Sequence, residues 1–250
     1  GNLLSFGVFE LDNSATPDLL LKRGRVVNGS PTVESVNVSQ ITEAIRHSWY
    51  TGPDNQNPAV ADTVAQYPKA DAYSWLKAPR YGGVPYEVGP LARMTVNGDY
   101  SNGVSAMDRH LSRAREALKI ALAMKNWLGS LVAGQSAYTD GVRPDSATSQ
   151  GLTEAPRGAL GHWLQVSNGV ISKYQVVTPT CWNVSPKDGT GQRGPLEQAL
   201  IGLPVTNVDK PIEVLRVVHS FDPCLDCATH VTRAEPGARV FALGEMPKQS

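Results

Sequence analysis

The sequence predicts an α+β fold, a helical bundle part joined to a loop-rich mixed β part. Three observations carry that reading. The stretch Ser105 to Ala133 has helical spacing of apolar residues and a cap at each end. Past residue 150 the character becomes β, with a hairpin signal at Ser167-Asn168-Gly169. The 250 residues include 23 glycines and 18 prolines, which predicts much irregular chain folded around a site.

In order along the chain, Phe6 to Leu11 and Arg25 to Gly29 read as strands, the second ending in the Asn28-Gly29 turn. Ser39 is placed to cap a short helix from Gln40 to His47, with Glu43 in its first turn favouring the dipole. Pro53, Pro58 and Pro68 mark 51–70 as loop, and the aromatics, arginines and prolines of 73–93 suit a segment that wraps a surface. Residues 1–100 are therefore expected as an irregular and β wrapping region. Within 101–135 lies one long helix, with Met107, Leu111, Ala114, Leu118, Ala121, Leu122, Leu128 and Val132 on its apolar stripe. Arg109, Arg113, Arg115, Glu116, Lys119 and Lys125 take its other faces, so it reads as a packed structural helix. Ser105 with Asp108 is a capping-box-like start, and Gly134 a stop. A polar loop at 135–150 leads to strands at Trp163–Val166 and Gly169–Val177. Pro179 to Pro195 is irregular, Glu197 to Ile201 starts a short helix, and Glu213 to His219 is strand or helix. Residues 151–230 are expected to carry a metal site and 231–250 to form a C-terminal extension.

Bulk properties exclude several functions. Charge is balanced, with 23 basic and 23 acidic side chains, which gives no electrostatic footprint for nucleic acid or an anionic membrane. No apolar run approaches the roughly 18 residues of a membrane span, and no charged-then-apolar signal segment opens the chain. Three cysteines cannot build a disulfide framework. The chain opens on Gly1, so its N-terminus is expected to be processed or cut from something longer.

The chemistry concentrates in three segments. The first is Asp222-Pro223-Cys224-Leu225-Asp226-Cys227-Ala228-Thr229-His230. Thiolates are strong ligands for soft and borderline metals, so Cys224 and Cys227 read as half of a metal site. A closed zinc site would need a second pair, and the other cysteine, Cys181, stands alone. A redox dithiol at a helix start stays open as an alternative, as do inert thiols, whereas a c-type haem would need a histidine directly after the second cysteine. The second segment is Glu154-Ala155-Pro156-Arg157-Gly158, in which a stiff turn presents a permanently charged, five-donor fork. A structural salt bridge is the plainer reading of Arg157. The third is Thr178-Pro179-Thr180-Cys181-Trp182-Asn183, whose hydroxyls and amides suit either a polar ligand or ordinary turns.

Taken together with Lys77-Ala-Pro-Arg-Tyr81, Glu87 to Arg93, Arg46-His-Ser-Trp-Tyr50, Asp108-Arg109-His110, Tyr174-Gln175 and the Pro-Thr-x-Trp-Asn-x-x-Pro-x-Asp run to Asp188, these segments resemble the large, catalytic subunit of the nickel–iron hydrogenases, in order along the whole chain. The resemblance implies reversible oxidation of molecular hydrogen to protons and electrons, of uptake type, at a nickel–iron centre whose iron carries cyanide and carbon monoxide. By position, Cys224 would be a terminal nickel ligand and Cys227 a bridge between nickel and iron. Arg157 and Asp222 would sit over the open face of the metals, with Pro156, Arg157 and Thr180 around the diatomic ligands. His230 and the carbonyl of Val176 would bind a magnesium-type ion. The implied partners are a small subunit with iron–sulfur clusters, a maturation endopeptidase and nickel-insertion factors. The implied location is the periplasmic side or the membrane through partner subunits, with the cytoplasm as the other option.

Three departures from the family pattern bear on this. The family's other CxxC pair and the glutamate beside it are absent, so the chain resembles the C-terminal half of such a subunit and supplies two of four thiolates; alone it should not assemble the full site. The family's precursor is cut just after the final histidine, whereas Val231 to Ser250 continue here, as in an unprocessed precursor or a member that is not cut. Cys181 and Asp226 stand where small or hydroxyl residues are usual, and Cys181 reads as a buried bystander. The kindred cofactor-free subunit of respiratory complex I lacks the thiolates that are present here. A zinc- or dithiol-containing interaction domain without hydrogenase activity is the alternative from another class.

Overall fold

The computed structural model describes residues 1–136, 138 and 141–224. Two short strands open the chain, β1 (Leu3–Ser5) and β2 (Val8–Glu10), broken at Gly7 with φ 78°. A Cβ at Gly7 would lie 2.8 Å from the Arg23 backbone nitrogen, so only glycine fits that bend. β3 (Leu19–Leu21) returns antiparallel on β2, while β4 (Gly24–Val26) and β5 (Val33–Glu34) extend β1 into a three-stranded sheet in the order β1-β4-β5. The strand expected over Phe6–Leu11 is thereby shortened, because Phe6 leaves the ladder and is fully buried in the core.

The helix expected over Gln40–His47 does not form. A single 3-10 turn, Val38–Gln40, is capped by Asn37 rather than Ser39, and β6 (Ile41–Ala44) follows. Tertiary pairing overrides the local cap signal here. Ile41 and Ala44 are buried against a partner strand, and the Glu43 amide bonds the Gln56 carbonyl at 2.9 Å. The minimal strands β7 (Tyr50–Thr51) and β8 (Val64–Ala65) pair inside the expected loop. The partner of β6 is β9 (Ala78–Tyr81), buried at every position.

Helix α1 (Pro90–Val96) follows, started by Gly89 and by Pro90 in its first turn. All its residues except Thr95 are buried. The stretch 73–93, read from sequence as a surface wrap, therefore holds a core strand and the start of a core helix. A helix that is buried all round has no polar face to reveal its period.

Helix α2 (Ala106–Ser130) begins with the anticipated capping box, in which Ser105 and Asp108 bond each other's amides, and it ends at Leu131, short of Gly134. Its orientation is the reverse of the sequence reading. Arg109, Ser112 and Glu116 are buried, whereas Met107, Leu118, Leu122 and Leu128 are 71%, 63%, 58% and 68% exposed. No described residue covers that outer stripe.

The β part is a meander of β10 (Ala147–Ala155), β11 (Gly158–Ser167) and β12 (Val170–Val177), in that order. The β11–β12 turn falls at Asn168 and Gly169, both with positive φ, as the hairpin signal predicts. Three short helices complete the described chain: α3 (Pro179–Asn183), within a stretch expected to be irregular, α4 (Pro195–Leu200) and α5 (Ile212–Ser220). The main core joins Leu4, Phe6, Ile41, Tyr81, Tyr86, Val88, Ala159, Trp163, Val177 and Trp182, so strands from both ends of the chain and α3 pack as one body. Ser105→Ala removes the α2 cap and is expected to cost about 1 kcal/mol, measured by denaturant unfolding.

Candidate metal centre

Arg157 sits at the tip of a two-residue turn, since Ala155 and Gly158 are the last pair of β10 and β11. Gly158 lies against Gly89 at the start of α1. A Cβ on Gly158 would meet the Gly89 nitrogen at 2.7 Å, and one on Gly89 would meet the Arg157 carbonyl oxygen at 2.9 Å. The two positive-φ glycines thus let the arginine turn touch the helix start backbone to backbone.

From the other side, α5 ends and the chain turns through Asp222, whose φ of 50° is left-handed and whose amide bonds the His219 carbonyl at 3.0 Å. Arg157 Nε donates to the Asp222 carbonyl at 2.8 Å, and its Nη2 lies 3.3 Å from Asp222 Oδ1. The two side chains are 39% and 42% exposed, so this is a partly wet ion pair. Two residues on, the Cys224 amide donates to Thr180 Oγ1 at 3.1 Å, and Thr180 is buried at the start of α3. Accepting that bond leaves the hydroxyl proton to be donated elsewhere. Arg157, Asp222, Thr180 and Cys224 therefore converge from three segments far apart in sequence. Pro156, beside Arg157, is exposed. Val176 lies on β12 opposite His162 of β11. Cys227, His230 and the extension 231–250 lie outside the described residues. Among the described residues no cluster of three or more histidine, cysteine or carboxylate side chains forms a complete metal cage. A cysteine whose amide is fixed by a hydroxyl, two residues after an aspartate that holds a guanidinium, is compatible with one edge of a thiolate-held metal with polar ligands of its own.

Sequence reasoning missed what holds these loops. Arg93 of α1 is 3% exposed and commits all five donors. It grips Glu116 of α2 in bidentate fashion, with Nη2 to Oε2 at 2.7 Å. Its Nη1 reaches Glu154 at 2.8 Å and the Ala155 carbonyl at 3.0 Å, and Nη2 also reaches the Pro156 carbonyl at 2.9 Å. The turn that carries Arg157 is thus pinned to both helices. Arg109 pairs with Glu87 at 2.7 Å and lies over the Phe221 ring at 3.7 Å, while Arg113 bonds the Ser220 carbonyl at 3.0 Å, and together they anchor the end of α5. Arg80 pairs with Asp188 at 2.7 Å and bonds the carbonyls of Pro186 and Gln192, closing the loop after α3.

Burial pushes the Glu154 carboxyl up to about 7, against the opposing pull of Arg93 and the Phe6 amide, with the neighbouring charge of Glu116 adding to the rise. A second buried set lies beside β12: Glu43, with Lys77 at 3.7 Å and Gln175 Nε2 at 2.6 Å. Burial raises the Glu43 carboxyl, and Lys77 and Gln175 oppose the rise. Cys181 is also raised by burial, and its thiol accepts from Thr178 at 3.2 Å, as suits an inert thiol.

The family model described as "Nickel-dependent hydrogenase" matches residues 1–104 and 95–230. The "Periplasmic [NiFeSe] hydrogenase large subunit" of Desulfomicrobium baculatum is 38% identical over 262 residues, covering 94% of this chain and 50% of that relative. The "Uptake hydrogenase large subunit" of Rhizobium leguminosarum bv. viciae is 34% identical over 285 residues, covering 92% and 48%. The solved structure of the hydrogen-activated [NiFeSe]-hydrogenase of Dm. baculatum superposes with a TM-score of 0.84 at 38% identity, over 92% of this chain and 52% of that one. The chain spans about half the length of the curated relatives it matches.

Arg93→Met leaves Glu116 and Glu154 buried without their cation. It is expected to cost about 3–5 kcal/mol at neutral pH. Part of that loss should return as the pH falls, because the two abandoned carboxyls then become neutral. Denaturant unfolding across pH checks both the loss and its sign.

Proposed function

Since this chain belongs to the nickel-dependent hydrogenase family, we propose that it is the C-terminal half of an uptake-type catalytic subunit that oxidises molecular hydrogen reversibly to protons and electrons. The observation that carries the reading is the meeting of three distant segments, with Arg157 bonded to Asp222 and, two residues on, the Cys224 amide bonded to Thr180.

In this proposal Cys224 and Cys227 would hold the nickel–iron group, and His230 with the Val176 carbonyl would hold a magnesium-type ion. When bound, the nickel–iron group with its cyanide and carbon monoxide supplies the redox chemistry of hydrogen. The chain's own residues supply the rest. The Asp222 backbone and carboxylate fix the Arg157 fork in one orientation, so the guanidinium can polarise a bound hydrogen molecule or receive a proton without reorganising. Thr180 fixes the amide of Cys224 and keeps its own proton for a polar acceptor such as a cyanide nitrogen. Pro156 and the aliphatic stem of Arg157 give that acceptor an apolar wall.

The outer stripe of α2 supports the reading of a half-subunit. Met107 to Leu128 span about 32 Å of helix, long enough to seat a further helix from the part of the subunit that this chain does not span. That part would also supply the second thiolate pair. The partners proposed are a small subunit whose iron–sulfur clusters carry the electrons away, and the nickel-insertion and endopeptidase factors that mature the centre. We place the complex on the periplasmic side or at the membrane through partner subunits, since one similar protein is named periplasmic. No described helix is long and apolar enough to cross a membrane.

Elemental analysis of the complete protein should give nickel and iron near one each, with infrared bands of bound cyanide and carbon monoxide. Zinc alone would sink the reading in favour of an interaction domain. In the intact enzyme Arg157→Lys should keep the metals but lose most hydrogen turnover, because a compact ammonium cannot reproduce the fork; unchanged turnover removes Arg157 from the chemistry. Cys227→Ser should abolish metal assembly, and a fully loaded variant would contradict the bridging role.

A further inference from the structure

Resting on the hydrogen-oxidation reading above, we propose that Glu154, with Arg93 and Glu116, forms a built-in proton-holding site. It takes up a proton released at the Arg157–Cys224 face and returns it to solvent through the cavity beside Pro156 and Asp222.

The charge count motivates the proposal. One guanidinium, 3% exposed, stands between two carboxylates that are 7% and 1% exposed. Fully ionised, the cluster carries one net negative charge inside the protein, and one proton makes it neutral. Arg93 cannot offset more, because its five donors are already committed to Glu116, Glu154 and the carbonyls of Ala155 and Pro156. Glu116 takes the bidentate grip, so Glu154 is the carboxylate left with the weaker hold. Its Oε1 accepts from the Phe6 amide at 2.6 Å and its Oε2 from Arg93 at 2.8 Å. A neutral carboxyl keeps both acceptor bonds and gains one O–H to donate.

Glu154 lines a cavity of about 290 Å³, within which such an O–H could find water. Glu154, Arg93, Glu116 and Arg113 line it together with Pro156 and Asp222, and Val8, Phe9 and Ile120 close its apolar side. At roughly 30 Å³ each, several waters fit. The charged groups that line the cavity with Glu154 are Arg93 from α1, Glu116 and Arg113 from α2 and Asp222 from the loop after α5; on the strand side the Phe6 amide bonds Glu154, and Arg23 bonds the carbonyl of the same residue. Arg113 is engaged by the Ser220 carbonyl, and the adjacent Arg109–Glu87 pair is already matched. Burial holds the Glu154 carboxyl up at about 7, where a group both binds and releases protons near neutrality. The step balances simply. Each hydrogen molecule yields two protons and two electrons; the two electrons leave by the partner's iron–sulfur clusters, and the two protons add to the Glu154 carboxylate one after the other. Loss of each proton to cavity water restores the carboxylate.

The test is difference infrared spectroscopy of the complete hydrogenase across pH, in light and heavy water, reading the protonated carboxyl band. The wild type should show a band that titrates near neutrality, and E154Q should lose it. E116Q removes the second negative charge and should move the midpoint down by roughly one pH unit. With its cyanide and carbon monoxide bands intact, E154Q should oxidise hydrogen at least about 10-fold more slowly, with an altered solvent isotope effect and unchanged KM for hydrogen. A titrating band that survives E154Q, an E116Q midpoint that does not move, or wild-type turnover in a metal-loaded E154Q would each overturn the proposal. A wild type with the carboxyl band but no cyanide or carbon monoxide bands would sink the hydrogenase reading, and with it the source of the proton, while a band lost in E154Q would still identify Glu154 as the titrating group.

Discussion

The position of the candidate site depends on one buried cation. Arg93 bonds α2, the end of β10 and the turn before Arg157 at the same time. Burying a guanidinium costs several kcal/mol unless its donors are all met. Here all five are met, three by carboxylate oxygens and two by carbonyls. The arrangement is directional as well as neutralising, since a planar fork with fixed partners leaves the 154–157 segment one place to sit. The backbone contact between Gly89 and Gly158 completes the constraint, because only two glycines allow the turn to close on the start of the same helix.

That constraint also explains why α2 faces the opposite way from its pattern. Hydrophobic periodicity predicts which face of a helix is buried when water is the only competitor. In α2 the competitor is a set of matched partners on α1, on the segment before it and at the end of α5: Glu116 goes inward to Arg93, and Arg109 goes inward to Glu87 and Phe221. The apolar stripe is then left outward for a further partner. The period of α2 and its capping box were therefore legible in the sequence, but its orientation was not, because orientation rests on pairs 22 and 23 residues apart.

Other parts of the fold divide along the same line. The Asn168-Gly169 turn is local chemistry and was read correctly, as was the Ser105 cap. Glu43 was assigned to a helix dipole, yet it is a buried partner of Lys77 and Gln175, contacts that no short window of sequence contains. Helix α1 hid because nearly all of it is buried. The runs that carry Arg157, Asp222, Thr180 and Cys224 stand out in the sequence because unusual residue types sit close together, and the bonds between these runs appear only in the structure. Glu154 was within sight in the same run, but its burial against Arg93 appears only in three dimensions.

The strength of the candidate site follows from its cover. With 39% of its side chain exposed, Arg157 interacts with Asp222 across water-rich surroundings, where such a pair is worth about 0–1 kcal/mol. The same pair in a closed, dry pocket would be several times stronger and would hold the guanidinium as a fixed electrostatic element. The outer stripe of α2 and Arg157 are both exposed among the described residues, and the curated relatives are about twice as long as the span matched here. On this view the described chain already contains the parts that set geometry: the glycine contact, the arginine clamps and the hydroxyl that fixes Cys224. Under the proposed function, a low dielectric around Arg157 is what would make that geometry catalytically effective.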